Sequence, residues 1–174
     1  ESSSKELELN FFNGSLENNT VSDVTKISIR ALINGKAGTY DIENLDLSYE
    51  DVVAVLKRNA SCNTSDEISE IFEGSKEYPV LKQIESDFEE YSIEEKIALL
   101  ASMEKEIKAK DPRIVYIPYL QYAEAESSTR IVNSKGLDIT KGNKYCIAVV
   151  GVVAVENNDT QNEYQMEAKL TFNE

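Results

Sequence analysis

Apolar and polar residues alternate in several stretches of the chain, a period of two that predicts β-strands with one buried face. The first alternating stretch, Lys5–Phe12, ends at Asn13–Gly14, a pair that tolerates positive φ and favours a two-residue hairpin turn. The second, Lys26–Ile33, places isoleucine or alanine at every odd position and ends at Asn34–Gly35. The chain then continues into Lys36–Ile42. We therefore predict an antiparallel meander built from short local turns.

Capping residues and apolar spacing predict two helices in the next part of the chain. Ser48 precedes Tyr49–Ala60 and is followed by Asp51, so a hydroxyl and a carboxylate can cap the first helical turn. The buried stripe of this helix is predicted at Val52, Val53, Val55 and Leu56. A shorter helix is predicted over Ser65–Glu73, with Gly74 as its left-handed C-terminal cap.

A third helix is predicted to begin at Ser92, which forms a capping box with Glu95, and to end at Asp111–Pro112. One face of this helix carries an apolar stripe that only a single glutamate interrupts. The residues of the stripe are Ile93, Ile97, Leu100, Met103, Glu104 and Ile107. We expect this face to be buried.

Strand-like runs follow the third helix. They are Ile114–Tyr122, Thr129–Val132, Leu137–Thr140, Lys144–Val155 and Glu163–Phe172. Short turns join them, so antiparallel pairing is expected. The run Cys146–Val155 is apolar on both faces and is typical of a central strand covered on each side. In the last run Tyr164, Met166, Ala168, Leu170 and Phe172 alternate with polar residues, which predicts one buried and one wet face.

The fold class is therefore predicted as α+β, with antiparallel sheets, a few packed helices and two subdomains. The N-terminal meander and its helix occupy residues 1–74. Residues 75–91 show neither the period of a strand nor that of a helix. Pro79 and the scattered acids in this stretch indicate an irregular connector over the surface. Residues 92–174 are predicted to form a helix followed by a second antiparallel sheet.

Charge and apolar content limit the possible partners. The 174 residues carry 18 Lys and Arg against 32 Asp and Glu, a formal net charge of -14, which repels a phosphate backbone. Direct nucleic-acid binding is therefore not expected. The longest apolar run, Tyr145–Val155, is far shorter than the ~20 residues of a membrane-spanning helix. The N-terminus lacks the pattern of a secretion signal, so we expect a cytoplasmic protein without membrane contact.

The residue types needed for catalysis are scarce. Histidine is absent, which removes the commonest general base and the commonest metal ligand. The two cysteines, Cys62 and Cys146, form no CxxC pair, so both are predicted to be packing residues and not zinc ligands. Adjacent acids such as Glu89–Glu90 and Glu94–Glu95 do not face each other on a helix, and a solvated acidic face is favoured over an acid and base pair. We predict no catalytic, cofactor-binding or metal-binding residue.

Two features leave a binding role open. Tyr116, Tyr119 and Tyr122 accompany Pro118 on a predicted strand and would occupy both of its faces, where packing is favoured over an aromatic ligand platform. An antiparallel sheet with an exposed edge can also accept an extended peptide as an additional strand. The sequence permits this second role but does not indicate which edge would serve.

Short motifs run through most of the chain. Ser92–Lys96 opens the third helix, Lys110–Ile114 reads KDPRI, and Ile131–Leu137 reads IVNSKGL. In this order they resemble the sPEEKi, aDPRI and iaNSxGL motifs of the TldD/PmbA family, whose members are also called modulators of DNA gyrase. Ala148–Glu156 is similar to that family's vsVVAEdgg strand, and Ile33–Ala60 is similar to its vdGrvGfasTndlseeal segment.

The resemblance implies a part in peptide processing. Catalytic members of the family are zinc metalloproteases whose HExxxH helix lies in a C-terminal region, so zinc is expected only there and not in this chain. Family members work as cytosolic dimers, commonly of a zinc-bearing and a zinc-free subunit. We therefore expect the non-catalytic N-terminal region of one subunit, which supports a homo- or heterodimer with a TldD/PmbA-type subunit and guides a peptide substrate.

Two other functions stay open. A stand-alone peptide- or protein-binding module that uses a sheet edge follows from the predicted antiparallel sheet. An acidic mimic that acts on gyrase or another DNA-binding protein follows from the net charge of -14 and from the family's second name. Binding by such a mimic would weaken at moderate salt, because charge interactions are screened.

Overall fold

The computed structural model describes residues 1–42, 46–65, 70–79 and 86–172. Over these ranges the chain forms six strands, two α-helices and one short 3₁₀ turn at Phe88–Glu90. The strands are β1 Ser2–Phe12, β2 Ser15–Ile33, β3 Lys36–Ile42, β4 Ile114–Val132, β5 Asp138–Glu156 and β6 Asp159–Lys169. The helices are α1 Tyr49–Cys62 and α2 Ile93–Lys110.

The strands form one sheet in the order β3-β2-β1-β4-β5-β6. Strands β2 and β3 pair as an antiparallel hairpin with Ile33 opposite Lys36, and β5 and β6 pair as another with Glu156 opposite Asp159. The neighbours β1 and β4 are far apart in sequence, and both helices lie in the chain between them. An α+β fold with an antiparallel sheet and packed helices is therefore confirmed, whereas the division into two subdomains stays a prediction.

Left-handed residues form the turns of three hairpins. Asn13–Gly14 have φ of 47° and 80°, and Asn34–Gly35 have φ of 51° and 79°, as their sequence predicted. The turn Asn157–Asn158, with φ of 50° and 66°, joins β5 to β6. Asparagine tolerates this conformation better than other residues that carry a Cβ atom, so the three two-residue turns fix the strand registers.

Three strands are longer than predicted. The predicted runs Ile114–Tyr122 and Thr129–Val132 are parts of the single strand β4. The next two predicted runs, Leu137–Thr140 and Lys144–Val155, are parts of the single strand β5, which begins one residue after Leu137. Strand β2 likewise begins directly after the first turn. The polar residues within these strands lack strand propensity, but pairing with a neighbouring strand overrides propensity.

The chain folds into two compact units. Unit 1 is formed by the described residues of Glu1–Ser3, Val24–Leu81 and Ser128–Gly142. Unit 2 is formed by those of Ser4–Asp23, Lys82–Ser127 and Asn143–Glu174. Strands β1, β2, β4 and β5 contribute to both units. The predicted boundary at residues 75–91 stays a prediction.

In unit 1, helix α1 packs closely on β3. Leu56 and Ala60 of the helix are buried, as is Ile42 of the strand. A Cβ atom added to Gly38 would lie 2.2 Å from the carbonyl oxygen of Leu56 and 2.9 Å from the amide nitrogen of Ala60. Only glycine therefore permits this approach of strand to helix. The predicted cap is confirmed, since the Ser48 hydroxyl accepts from the amide of Asp51 at 3.1 Å.

In unit 2, helix α2 covers a core contributed by β1, β4 and β5. Ser92 and Glu95 form the predicted capping box. The buried core residues are Leu9, Phe11, Phe88, Leu100, Ile117, Leu120, Tyr122 and Cys146. Ile97, Met103 and Ile107 of the predicted stripe pack against this cluster. Ile93 is 37% exposed at the first helical residue, so its predicted burial is wrong.

Two predictions for the segment between the helices need correction. Of the predicted helix Ser65–Glu73, residues 66–69 lie outside the described residues, and Ser65 and Glu70–Glu73 are not helical. Gly74 is left-handed at φ of 95°, but no described helix ends there. The predicted surface connector 75–91 contains Phe88, which is only 2% exposed because its ring enters the core of unit 2.

Side-chain contacts hold part of this segment in unit 1. The side-chain amide of Asn133 donates to the carbonyl of Phe72 at 2.7 Å, and Lys135 pairs with Glu73 at 2.6 Å. Within the described parts of the chain, neither helix has the length and apolar character to cross a membrane.

Gly38→Ala is expected to lower the free energy of unfolding by ~1–3 kcal/mol, because the added methyl group would overlap the backbone of α1. Denaturant unfolding followed by circular dichroism measures the change. Gly35→Ala is the control, since no atom lies within 4 Å of its added carbon and only its left-handed φ is strained. A smaller loss for Gly38→Ala than for Gly35→Ala would contradict the close packing of α1 on β3.

Candidate functional site

The three strands β4, β5 and β6 present two different faces in unit 2. Cys146, Val150 and Val152 of β5 pack on the core beneath α2. Because side chains alternate along a strand, Val149 and Val153 point to the opposite side. We call this side the outer face, defined by Tyr119, Val149, Gly151, Val153, Tyr164 and Met166. The register places Tyr164 opposite Gly151 and Met166 opposite Val149.

A groove of about 510 Å³ lies on the outer face. Its lining residues are Pro118, Tyr119, Gly151, Val152, Val153, Asn162, Glu163 and Tyr164. Gly151 forms the floor, and a Cβ atom there would lie 3.3 Å from the Cβ of Tyr119. The missing side chain thus leaves the space between the two tyrosines open.

The outer face exposes large apolar groups to water. Tyr164 is 56% exposed, Met166 52% and Tyr119 46%. The prediction that the apolar side of the last strand is buried is therefore wrong for Tyr164, Met166, Ala168 and Leu170, whereas Phe172 packs against the core. The core cluster beneath α2 lies on the other side of β5, and on this side Val149 is buried whereas the side chains of β6 beside it stay in water. Exposed apolar patches of this kind mark interaction sites.

The three tyrosines of β4 differ in burial, but not as strict alternation would have it, because Tyr116 and Tyr122 are an even number of residues apart and only Tyr122 is buried. Tyr122 is buried in the core, whereas Tyr116 and Tyr119 are exposed. The ring of Tyr116 makes an edge contact with Phe12 at a centroid distance of 5.7 Å. Packing thus accounts for Tyr122 and Tyr116, and Tyr119 remains as a wall of the groove.

The edge of β6 has a defined pattern of backbone groups. Glu156 and Asp159 close a two-residue turn, so they form a hydrogen-bonded pair. From there, hydrogen-bonded and non-hydrogen-bonded pairs alternate along the two strands. The residues whose N–H and C=O point away from β5 are Thr160, Asn162, Tyr164, Met166 and Ala168. The Tyr164 amide donates to the Glu163 carboxylate at 3.1 Å, and the Gln165 side chain donates to the Met166 carbonyl at 3.5 Å.

A buried ion pair lies on the core side of the same strands. The Nζ of Lys96 on α2 is 2.6 Å from Oε1 of Glu124 on β4, and these side chains are only 5% and 11% exposed. The Tyr122 hydroxyl donates to the same carboxylate at 2.7 Å. Glu124 therefore receives both a cation and a hydroxyl, which is what a buried carboxylate requires.

A second buried carboxylate ties α2 to the first hairpin. Oε2 of Glu104 accepts from the amide of Gly14 at 2.8 Å, and Oε1 accepts from Lys108 at 2.6 Å. Glu104 is the one polar residue of the predicted stripe, and both of its carboxylate oxygens accept hydrogen bonds where it is buried. It holds the turn after β1 against the helix.

Burial keeps the groups near this pair in their neutral forms. Burial, followed by the nearby Glu124 carboxylate, raises the pKa of Tyr122 well above its usual range. Burial likewise raises the pKa of the Cys146 thiol, which donates to the Thr171 carbonyl at 3.6 Å. The predicted packing role of Cys146 is confirmed. Cys62 is exposed at the last residue of α1, so the same prediction for Cys62 is wrong.

The acidic pairs considered for acid and base chemistry have other contacts. Glu89 pairs with Lys144 at 2.9 Å, and the hydrogen bond from this lysine lowers the pKa of Glu89. Glu95 caps α2, and the backbone amide of Ser92 lowers the pKa of Glu95. Among the described residues, no three His, Cys, Asp or Glu side chains are grouped to hold a metal ion. The absence of cofactor and metal sites from the whole chain stays a prediction.

Comparisons with known proteins identify the family. Residues 1–73 match the model of PmbA/TldA metallopeptidase domain 1, and residues 86–172 match that of the PmbA/TldA metallopeptidase central domain. These matches cover most of the chain, which therefore belongs to the PmbA/TldD metallopeptidase-related family. The resemblance drawn from the KDPRI and NSKGL motifs is confirmed. No curated protein sequence gave a significant match.

Solved structures share the fold. A Thermotoga maritima protein described as a candidate modulator of a DNA gyrase has a TM-score of 0.86 at 24% identity, over 99% of this chain and 39% of that one. TldE from Thermococcus kodakarensis has a TM-score of 0.75 at 14% identity, over 97% and 38%. A Bacteroides thetaiotaomicron protein, also described as a candidate gyrase modulator, has 0.76 at 17%, over 99% and 40%. This chain thus spans 38% to 40% of the length of these proteins.

The ion pair of Lys96 and Glu124 was not predicted from the sequence, although the sequence contains one signal for it. Lys96, Leu100 and Glu104 are spaced by four residues and share one face of α2. A lysine and a glutamate in line with a buried leucine indicate buried charges that need partners. The partner Glu124 lies in a polar part of β4 and could not be assigned without the tertiary structure.

Lys96→Met is expected to lower the free energy of unfolding by ~3–5 kcal/mol, because it leaves the Glu124 carboxylate buried without a cation. Adding Glu124→Gln should restore most of the loss, since the neutral amide still accepts from Tyr122. Denaturant unfolding measures each variant. Lys105→Met, at an exposed position of the same helix, is the matched control. Equal stability of the Lys96 and Lys105 variants would contradict the role of the pair.

The two thiols should differ sharply in reactivity. In the folded chain at neutral pH we expect a disulfide reagent such as Ellman's to react quickly with Cys62 alone, because burial keeps Cys146 protonated and inaccessible. Both thiols should react after unfolding in guanidinium. Cys62→Ser should remove the fast phase. A second fast thiol in the folded protein would show that Cys146 is accessible.

Proposed function

We propose that this chain is the non-catalytic N-terminal region of a PmbA/TldD-type peptidase, where it supports dimerisation and guides peptide substrates to a zinc site outside residues 1–174. The observation that carries the proposal is the pair of matches to domain 1 and to the central domain of a metallopeptidase family. The chain has no histidine, the commonest ligand of catalytic zinc. Cleavage of a peptide bond would then take place on another part of the enzyme.

The outer face supports the guiding role. Its groove is about 510 Å³ in volume and lies between Tyr119 and Tyr164 over the open floor at Gly151. Tyrosine supplies a large contact area with few rotatable bonds, so such a groove can hold varied side chains without strict selection. A surface of this kind suits a region that presents many peptides to one catalytic centre.

Dimerisation and location complete the proposal. The partner is a TldD/PmbA-type subunit, either a second copy or a zinc-bearing member of the family, and the assembly works in the cytoplasm. The family match supports this part, because the resemblance to TldD/PmbA proteins implies paired subunits. Zinc belongs to the catalytic member only.

A stand-alone peptide- or protein-binding module is the second candidate. It is favoured by the edge of β6, where alternate residues direct their backbone groups away from β5. The two candidates differ in partner and not in chemistry. A module of this kind would bind peptides but would not associate with a zinc-bearing subunit.

The purified chain is expected to bind unstructured fluorescent peptides of mixed sequence, to hold less than stoichiometric zinc, and to cleave none of the peptides. Fluorescence anisotropy, metal analysis by mass spectrometry and a peptidase assay test the three expectations. Tyr119→Ser with Tyr164→Ser should weaken peptide binding about tenfold, since both walls of the groove are lost. Tyr49→Ser, which removes a 78% exposed tyrosine from α1, is the matched control.

Several outcomes would decide between the candidates. One tightly held zinc ion per chain, or peptide cleavage by the chain alone, would overturn the non-catalytic role. Analytical ultracentrifugation of the chain, alone and mixed with a zinc-bearing family member, tests dimerisation. Peptide binding without any association would favour the stand-alone module.

A further inference from the structure

We infer that the groove on the outer face prefers peptides that carry arginine, and that the guanidinium group lies between the rings of Tyr119 and Tyr164 and pairs with Glu163. The inference rests on the peptide-guiding part of the proposed function and names the class of side chain that the groove favours. The groove accepts varied side chains, and arginine is the one whose shape and charge match its walls best. Three observations carry this inference: the interruption of β4, the spacing of the two tyrosines and the charge of the lining residues.

The wall on β4 exists because alternation along that strand is interrupted. Ile117 and Leu120 both belong to the buried core, although residues three apart in a regular strand point to opposite faces. One extra residue between them, as in a β-bulge, puts Pro118 and Tyr119 together on the outer face. A Cβ atom added to Gly151 would lie 3.3 Å from the Cβ of Tyr119 and 4.0 Å from the Cγ of Pro118, so both residues face this glycine. Bulges are common beside active sites, where they redirect a side chain.

The two tyrosines stand at a distance that suits a planar group. Tyr119 and Tyr164 lie on the strands that flank β5, and neighbouring strands are ~4.8 Å apart, so the backbones of the two residues are ~10 Å apart. A planar group in contact with a ring on each side needs roughly 7–8 Å, because carbon atoms in contact are ~3.5–4.0 Å apart. Gly151 carries no side chain that would fill the space between the rings.

The lining residues favour a cation. Among the described residues that line the groove, Glu163 is the one charged side chain, and lysine and arginine are absent. The Glu163 carboxylate accepts from the Tyr164 amide at 3.1 Å, which holds the negative charge beside one wall. The faces of aromatic rings also carry partial negative charge and attract cations. The chain's net charge of -14 adds a long-range attraction for basic peptides.

Arginine meets these conditions better than lysine does. Its guanidinium group is planar, stacks on aromatic faces and presents N–H donors in a fixed fork, whereas the ammonium group of lysine is a compact and strongly hydrated charge. With its two faces against the tyrosine rings, the guanidinium group directs its donors within its own plane towards the Glu163 carboxylate. Hydrogen bonds between a guanidinium group and a carboxylate are charge-assisted and strong. The groove thus favours both the shape and the charge of arginine.

Three labelled decapeptides test the inference by fluorescence anisotropy with the full 174-residue chain. They share one mixed sequence and differ in a single central residue, which is arginine, citrulline or lysine. Citrulline has the planar shape of arginine without its charge. We expect the arginine peptide to bind about tenfold more tightly than the citrulline peptide and about threefold more tightly than the lysine peptide. An arginine peptide that binds no more tightly than either of the others would overturn the inference.

Glu163→Gln tests the contribution of the carboxylate. The side-chain oxygen of glutamine can still accept from the Tyr164 amide, so the strand should keep its structure. We expect the preference for arginine over citrulline to fall about threefold, while binding of the citrulline peptide stays unchanged. Glu167→Gln removes the same charge from an exposed position of the same strand and is the matched control. An equal loss of preference in the two variants would overturn the pairing with Glu163.

Two replacements of Tyr164 separate the aromatic face from apolar bulk. Tyr164→Phe keeps the aromatic face, whereas Tyr164→Leu keeps an apolar side chain without it. The phenylalanine variant should retain the preference for arginine over citrulline, and the leucine variant should lower it about fivefold. An arginine preference that Tyr164→Leu leaves unchanged would overturn the inference.

Failure of the inference can be told from failure of the proposed function. If peptides bind and Tyr119→Ser with Tyr164→Ser weakens the binding, but arginine has no advantage over citrulline, the inference fails and the guiding role stands. If no peptide binds at all, the inference and the guiding role fail together, while dimerisation is judged separately by ultracentrifugation.

Discussion

The packing of α2 on one face of unit 2 is the interaction on which the accessible surfaces of that unit depend. The helix buries Leu100 completely and places Lys96 and Glu104 beside it. On the other side of β5, Val149 and Gly151 are buried, but Tyr119, Tyr164 and Met166 beside them stay in water. The groove and the exposed strand β6 are therefore direct consequences of where the helix lies.

The same core explains how unit 2 holds polar groups away from water. Glu124 is neutralised by Lys96 and bonded to the Tyr122 hydroxyl, and burial keeps the thiol of Cys146 protonated. Satisfied buried charges of this kind can specify one arrangement of helix and strands, because each misplaced partner would leave a desolvated charge. The polar network thus orders the fold beneath the surface that we propose for peptides.

In unit 1, by contrast, side chains bind the outward backbone groups of the edge strand β3. Gly38 allows α1 to approach β3, and from that position Asn59 and Asn63 reach the outward carbonyl groups of the strand. One edge of the sheet is therefore protected against pairing, as edge strands in soluble proteins generally need to be.

Local features could be predicted from the sequence. They are the Asn13–Gly14 and Asn34–Gly35 turns, the capped helices, the alternating strands and the family motifs. These depend on backbone preference and on neighbours within a few residues. Which apolar residues are covered depends on the packing of distant elements, so Tyr164 and Met166 are exposed although they alternate like buried residues. The burial of Phe88 and the pairing of Lys96 with Glu124 likewise required the tertiary structure, because both depend on elements that are distant along the chain.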